Sequence, residues 1–222
     1  MKLSAVRSMA KRNTLEVEHL LKAAKARTPG LRQELQQLSQ ELQWSATRHP
    51  RPGVHVVPLA KWAELAGCYA EHGFAGLAPL AGHRQDAGYV LALIEEVGNA
   101  DAVHALLDFF QDVIADPAGD MEIAHAVAAT CNRLFSFRHS PVVTDGQAQR
   151  LRDFLVSFCG HAEDQVHKAM AVYALRGVGD AQSIDFIGRQ PRFQPPHEDA
   201  GKIAIKAIKK RLGSRQSFPL PA

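Results

Sequence analysis

The 222 residues, 46% of them hydrophobic, supply one elongated core or a main domain with an arm. Three widely spaced cysteines, Cys68, Cys131 and Cys159, argue against a disulfide framework and for a reducing compartment; residues 1–10 lack a signal-peptide run and nothing reaches membrane-spanning length, so the expected location is the cytoplasm. The net charge of +3 hides a segregation: residues 1–32 hold eight Lys or Arg against two acids, residues 202–215 hold six against none, and residues 85–132 contain nine acids and no Lys or Arg.

In chain order, Leu15, Leu20 and Leu21 fall in a basic helix, Thr28-Pro29-Gly30 breaks it, and Leu31, Leu35, Leu38 and Leu42 share one face of a glutamine-rich helix. Four leucines are too few for a coiled-coil seam, so residues 1–47 are predicted to be a helical arm packed on the first repeat. Residues 48–58, with three prolines and a glycine, read as a linker; Val54-His55-Val56-Val57 within it is too short to argue for a sheet. Residues 59–69 and 74–80 form a degenerate first helix pair. Residues 121–134 and 148–158 form a later one, joined by a loop over 139–146. Residues 200–212 make a capping helix, and residues 213–222, without periodicity, are expected to be disordered.

The phrase Leu93-Ile94-Glu95-Glu96-Val97-Gly98-Asn99-Ala100 returns as Ala174-Leu175-Arg176-Gly177-Val178-Gly179-Asp180-Ala181, 81 residues later. That interval is two units of roughly 40 residues, the length of a helix pair that buries its apolar face by stacking on a neighbour. In the second copy Val166, Ala169, Met170, Tyr173, Ala174 and Val178 make one apolar stripe, Gly179 ends the helix through a left-handed residue, Asp180 caps the next helix, and Ile184 and Ile187 carry its stripe. Gly98, Asn99, Val103, Leu106 and Leu107 match these places in the first copy. The predicted fold is all-α, a superhelix of antiparallel helix pairs over residues 59–212.

This pattern, Ala-Leu-x-x-Val-Gly-Asp-x-x-x-Ile-x-x-Ile, resembles the HEAT-like repeats of small bacterial proteins and of the phycobilin lyase relatives, best at residues 163–187 and next at 86–110. The resemblance implies that the second helix of each pair lines a concave face. Asp101, His104, Asp108, Gln111, Asp112 and Asp116 recur at three-, four- and seven-residue steps opposite Val103, Leu106, Leu107, Phe110 and Ile114. Ordinary solvated faces mix both signs of charge. The expected binding residues are therefore Asp101, His104, Asp108 and Asp112, with Asp145, Gln149, Asp185 and Arg189 on later second helices. The partner expected is a protein with a basic surface, engaged without catalysis. Bacterial HEAT-like proteins of this size resemble immunity proteins that neutralise a toxin.

Two other classes are weighed. A nucleic-acid enzyme similar to the HEAT-like alkylpurine DNA glycosylases needs a cationic groove and aromatic residues around a base, whereas here the basic residues sit at the two ends and Trp44 and Trp62 near the arm. A metal-dependent HEAT-like enzyme is suggested by Glu122-x-x-His125 and Asp164-x-x-His167, 42 residues apart, but first-turn acids complement the helix dipole and no paired Cys-x-x-Cys is present, so neither metal nor cofactor is expected. Nor is there a phosphate loop or a nucleophile elbow.

Overall fold

The computed structural model describes residues 1–11, 15–42, 59–135 and 141–216, and among the described residues there are helices and loops but no strand. The helices are α1 (Leu3–Lys11), α2 (Val17–Lys25), α3 (Leu31–Leu42), α4 (Leu59–His72), a 3-10 turn (Gly73–Leu77), α5 (Ala78–Ala81), α6 (Arg84–Val97), α7 (Ala100–Phe109), α8 (Gln111–Ala115), α9 (Met121–Leu134), α10 (Asp145–His161), α11 (Gln165–Val178), α12 (Ala181–Arg189) and α13 (Ala200–Gln216). The expectation of an all-α chain holds for these residues. The linker over 48–58 and Trp44 lie outside them. So do residues 139 and 140 of the expected loop and the end of the expected tail, whose first part is instead helical because α13 continues to Gln216.

The chain divides into two compact units, residues 1–97 and 98–222, so the boundary falls inside the first copy of the repeat rather than at the linker. In the first unit α2 and α3 both pack on α4, α1 packs on α3, and α6 rests on α2, α4 and α5. The N-terminal helices thus pack on the first expected pair, as read from the sequence, and share a core with it. Leu31, Leu35 and Leu38, read as one face of α3, are fully buried, as is Trp62 of α4. The α3–α4 approach is close enough that a Cβ on Gly67 would collide with Arg32. Arg27, which ends α2 with φ 48, donates from Nε to the Ala70 carbonyl (3.2 Å) and from Nη2 to that of Glu71 (2.9 Å), at the end of α4. Lys25 Nζ reaches the Glu96 carbonyl at the end of α6 (2.8 Å). Asp86, only 2% exposed, is held by Lys61 at 2.7 Å.

In the second unit α11 is central, packing on α9, α10 and α13; α12 packs on α13, while α7 and α8 pack on α10. Val127, Cys131, Phe154, Phe158, Val172 and Leu175 fill the space between them. Helix ends here follow one rule. A helix leaves its last carbonyls without intrahelical partners, and its dipole makes that end negative, so a guanidinium from a neighbour is favoured there. Arg150 donates to the Leu107 carbonyl near the end of α7 (3.1 Å), and Arg176 to those of Asn132 (2.8 Å) and Phe135 (3.0 Å) at the end of α9. Arg152 takes Val178 (2.8 Å), and Arg211 takes Gly177 and Gly179, at the end of α11.

The caps read from the sequence are present: Asn99 accepts from the Ala102 amide (2.9 Å) and Asp180 from that of Ser183 (2.9 Å). The reason for the glycine between Val178 and Asp180 differs from the expectation. Gly98 does adopt the left-handed conformation (φ 60), but Gly179 is extended (φ −61, ψ 157). What excludes a side chain at 179 is packing, since a Cβ would lie 2.6 Å from Ile208 Cδ1 and 2.7 Å from the Leu175 carbonyl oxygen.

Gly179→Ala should therefore cost about 1–3 kcal/mol through overpacking, whereas Gly88→Ala, at an exposed interior position of α6 with open space around it, should gain about 0.5–1 kcal/mol. Urea unfolding followed by circular dichroism measures both. Lys61→Met leaves the buried Asp86 carboxylate without its cation, and a loss of about 3–5 kcal/mol is expected in the same assay.

Candidate functional site

The carboxylates expected to bind a partner begin on α7, which Asn99 starts and Asp101 complements in the first turn. Asp101, His104 and Asp108 are exposed along it, and Gln111 and Asp112 are exposed on α8, with Asp116 just beyond. The stripe is carried by two short helices rather than one, because Phe110 (φ −114, ψ 27) interrupts the ladder. Its opposite side is as read: Val103, Leu106, Leu107, Phe110 and Ile114 are buried. Among the described residues none of Asp101, Asp108, Asp112 and Asp116 is paired with a cation. The Arg150 guanidinium is bonded to the Leu107 backbone, next to Asp108 in sequence.

α10 begins at a capping box, Thr144 Oγ accepting from the Gln147 amide (3.2 Å) and Gln147 Oε1 from the Thr144 amide (2.9 Å), with Asp145 exposed in its first turn. Gln149, Arg152, Asp153 and Val156, at helical spacing, turn one side of α10 toward α12. There they meet Asp180 and Phe186 across a groove of about 350 Å³. Arg152 sits in its wall, pairing with Asp180 (Nε to Oδ2, 3.1 Å) and donating to the Val178 carbonyl (2.8 Å) and to Gln149 Oε1 (2.6 Å). The Gln149 amide in turn donates to Asp153 (2.7 Å). Burial pushes the Asp180 carboxyl up, but the Ser183 backbone and hydroxyl hydrogen bonds and the Arg152 charge outweigh it and hold the group below its ordinary value.

Of the residues predicted on the later helices, Gln149 lines this groove. Asp185 and Arg189 are exposed on α12 but lie outside the lining, which uses Gln182, Ser183 and Phe186 instead. Arg152, Asp153 and Phe186 were not singled out in the sequence. Their signal was available only as a spacing: 149, 152, 153 and 156 on one helix and 182, 183 and 186 on the next each make a face.

His125 of α9 and His167 of α11, whose 42-residue separation suggested equivalent positions on neighbouring helices, stack with ring centroids 3.8 Å apart and planes tilted by 36°. Burial lowers the His125 pKa, the His167 charge lowers it further, and Asp164 opposes both. Asp164 itself caps α11, accepting from the Val166 amide at 2.7 Å. No group of three His, Cys, Asp or Glu side chains among the described residues is placed to hold a metal ion. Burial pushes the Cys131 thiol up to about 12 and the Cys159 thiol up to about 11, so neither supplies a thiolate near neutral pH. Trp62, buried edge-on against Tyr89 (centroids 6.0 Å), is shielded from any base that would stack on it. Among the described residues no helix is long and apolar enough to cross a membrane.

The histidine pair sets a pH dependence. With the folded His125 value below the ordinary 6.5, the unfolded chain takes up a proton first as pH falls. Stability should hold above about pH 6.5 and decline below it until the folded value is passed, and His125→Gln should flatten that decline in thermal melts taken between about pH 5 and 8. Comparison with protein-family models, with curated proteins and with solved structures finds no match to this chain.

Proposed function

We propose that this chain is a protein-binding module of stacked helix pairs whose α7–α8 carboxylates dock a basic surface of another protein. The observation that carries the reading is the row Asp101, Asp108, Asp112 and Asp116, exposed and, among the described residues, without a cation partner, on helices whose opposite face is buried. Unpaired carboxylates of one sign attract a cationic surface, raise the encounter rate and repel phosphate. The packing of α11 between α9 and α13, with α10 reaching α7, supports stacked pairs of the HEAT-like kind. In that arrangement α7, α10 and α12 are the second helices and share one face, so Asp145, Gln149, Asp185 and Arg189 extend the docking surface. Within the resemblance to small bacterial HEAT-like proteins, the reading extends to an immunity protein that covers the basic active-site surface of a toxin. A DNA glycosylase is not favoured: a carboxylate face repels the phosphate backbone, and Trp62 is enclosed.

The test is charge reversal at Asp108→Lys with Asp112→Lys. Protein retained from lysate of the native host by the wild-type chain and identified by mass spectrometry should bind the double variant at least tenfold more weakly, chiefly through a slower, less salt-sensitive association. The melting temperature should not move, because exposed single charges contribute little to folding. Equal affinity for the two chains, or duplex DNA binding that weakens steeply with salt in a gel-shift assay, would overturn the reading.

A further inference from the structure

We propose that the groove between α10 and α12 is a socket for one arginine side chain of the partner protein. The inference rests on the docking reading above and adds to it a residue-level point of recognition. The groove, about 350 Å³, has apolar walls in the half-buried Val156 and Phe186 and a charged rim in Asp153. The donors of Arg152 are committed to Asp180, the Val178 carbonyl and Gln149, so this cation is spent within the wall and offers little to an incoming anion. Asp180 is correspondingly neutralised. Asp153 is not: it is exposed and accepts a hydrogen bond from the Gln149 amide, and among the described residues it forms no ion pair. One negative charge is left over at the rim of a partly apolar slot.

That combination selects a particular side chain. A purely apolar group would fill the slot but strip water from the Asp153 carboxylate without replacing its hydrogen bonds, which is unfavourable. An anion would meet the Asp153 carboxylate, whose charge is not offset within the groove. A long side chain with an apolar stem and a cationic end satisfies both parts, and a guanidinium adds a planar face for Phe186 and a fork that matches a carboxylate. Gln149 holds Asp153 in position while leaving acceptor capacity for that fork.

The experiment is an amide NMR titration of the full chain with N-acetyl-arginine N-methylamide, using the isosteric, uncharged citrulline derivative as control. The expected result is saturable shifts at millimolar concentration, confined to residues 149–157 and 180–187, absent with citrulline and at least tenfold weaker in Asp153→Asn. The exposed position of Asp153 lets this variant fold, which the unperturbed remainder of its spectrum reports. Equal shifts with both compounds, or equal affinity in Asp153→Asn, would overturn the socket. The two readings fail separately. If Asp108→Lys with Asp112→Lys abolishes partner binding while arginine leaves the groove untouched, the socket is wrong and the docking face stands. If arginine binds the groove in an Asp153-dependent way while that double variant keeps its partner, the socket stands and the α7–α8 assignment is wrong.

Discussion

The second unit depends on arginines bonded to the carbonyls that end its helices. Each helix terminus presents acceptors with no partner of their own, at the negative end of the dipole, and burying such an end without a donor costs about as much as a lost hydrogen bond for each group. Arg150, Arg152, Arg176 and Arg211 supply those donors to α7, α11 and α9 from helices packed alongside. Each therefore ties one helix to the end of another. The first unit repeats the device with Arg27 on α4 and Lys25 on α6.

This use of cations also bears on the carboxylates nearby. Arg150 bonds the Leu107 backbone of α7, and Arg152, which does meet a carboxylate, meets the cap residue Asp180. These two arginines are thus taken up by a backbone end and a cap. Asp101, Asp108, Asp112 and Asp116 are left to solvent, and Asp153 is left at the mouth of a groove. A chain of small net charge carries this acidic row because residues 85–132 hold nine acids and no Lys or Arg.

What could be read from the chain was what repeats locally. The bounds of α9, the caps Asn99 and Asp180, the buried side of α7–α8 and the adjacency of His125 and His167 all follow from spacing and capping chemistry. What escaped depends on residues far away in sequence. Gly179 looks like a left-handed helix end, but Ile208 of α13 is what requires it. Arg152 and Asp153 look like ordinary polar positions until Asp180 and Phe186 are brought across from α12. The break at Phe110 left no mark, since the apolar spacing of Leu106, Phe110 and Ile114 runs unbroken through it. The division after Val97 was hidden for a similar reason, because the copy of the repeat spans it while α3 and α4 bind residues on either side of the linker into one core.

The proposed recognition face is the exposed side of α7, α8, α10 and α12, and backbone amide exchange of the chain bound to its retained protein partner measures this most directly. Protection concentrated in residues 100–116, 145–157 and 180–189, with α9, α11 and α13 exchanging as in the free chain, is the predicted result. Protection confined to α9, α11 and α13, with the carboxylate helices unaffected, would contradict it.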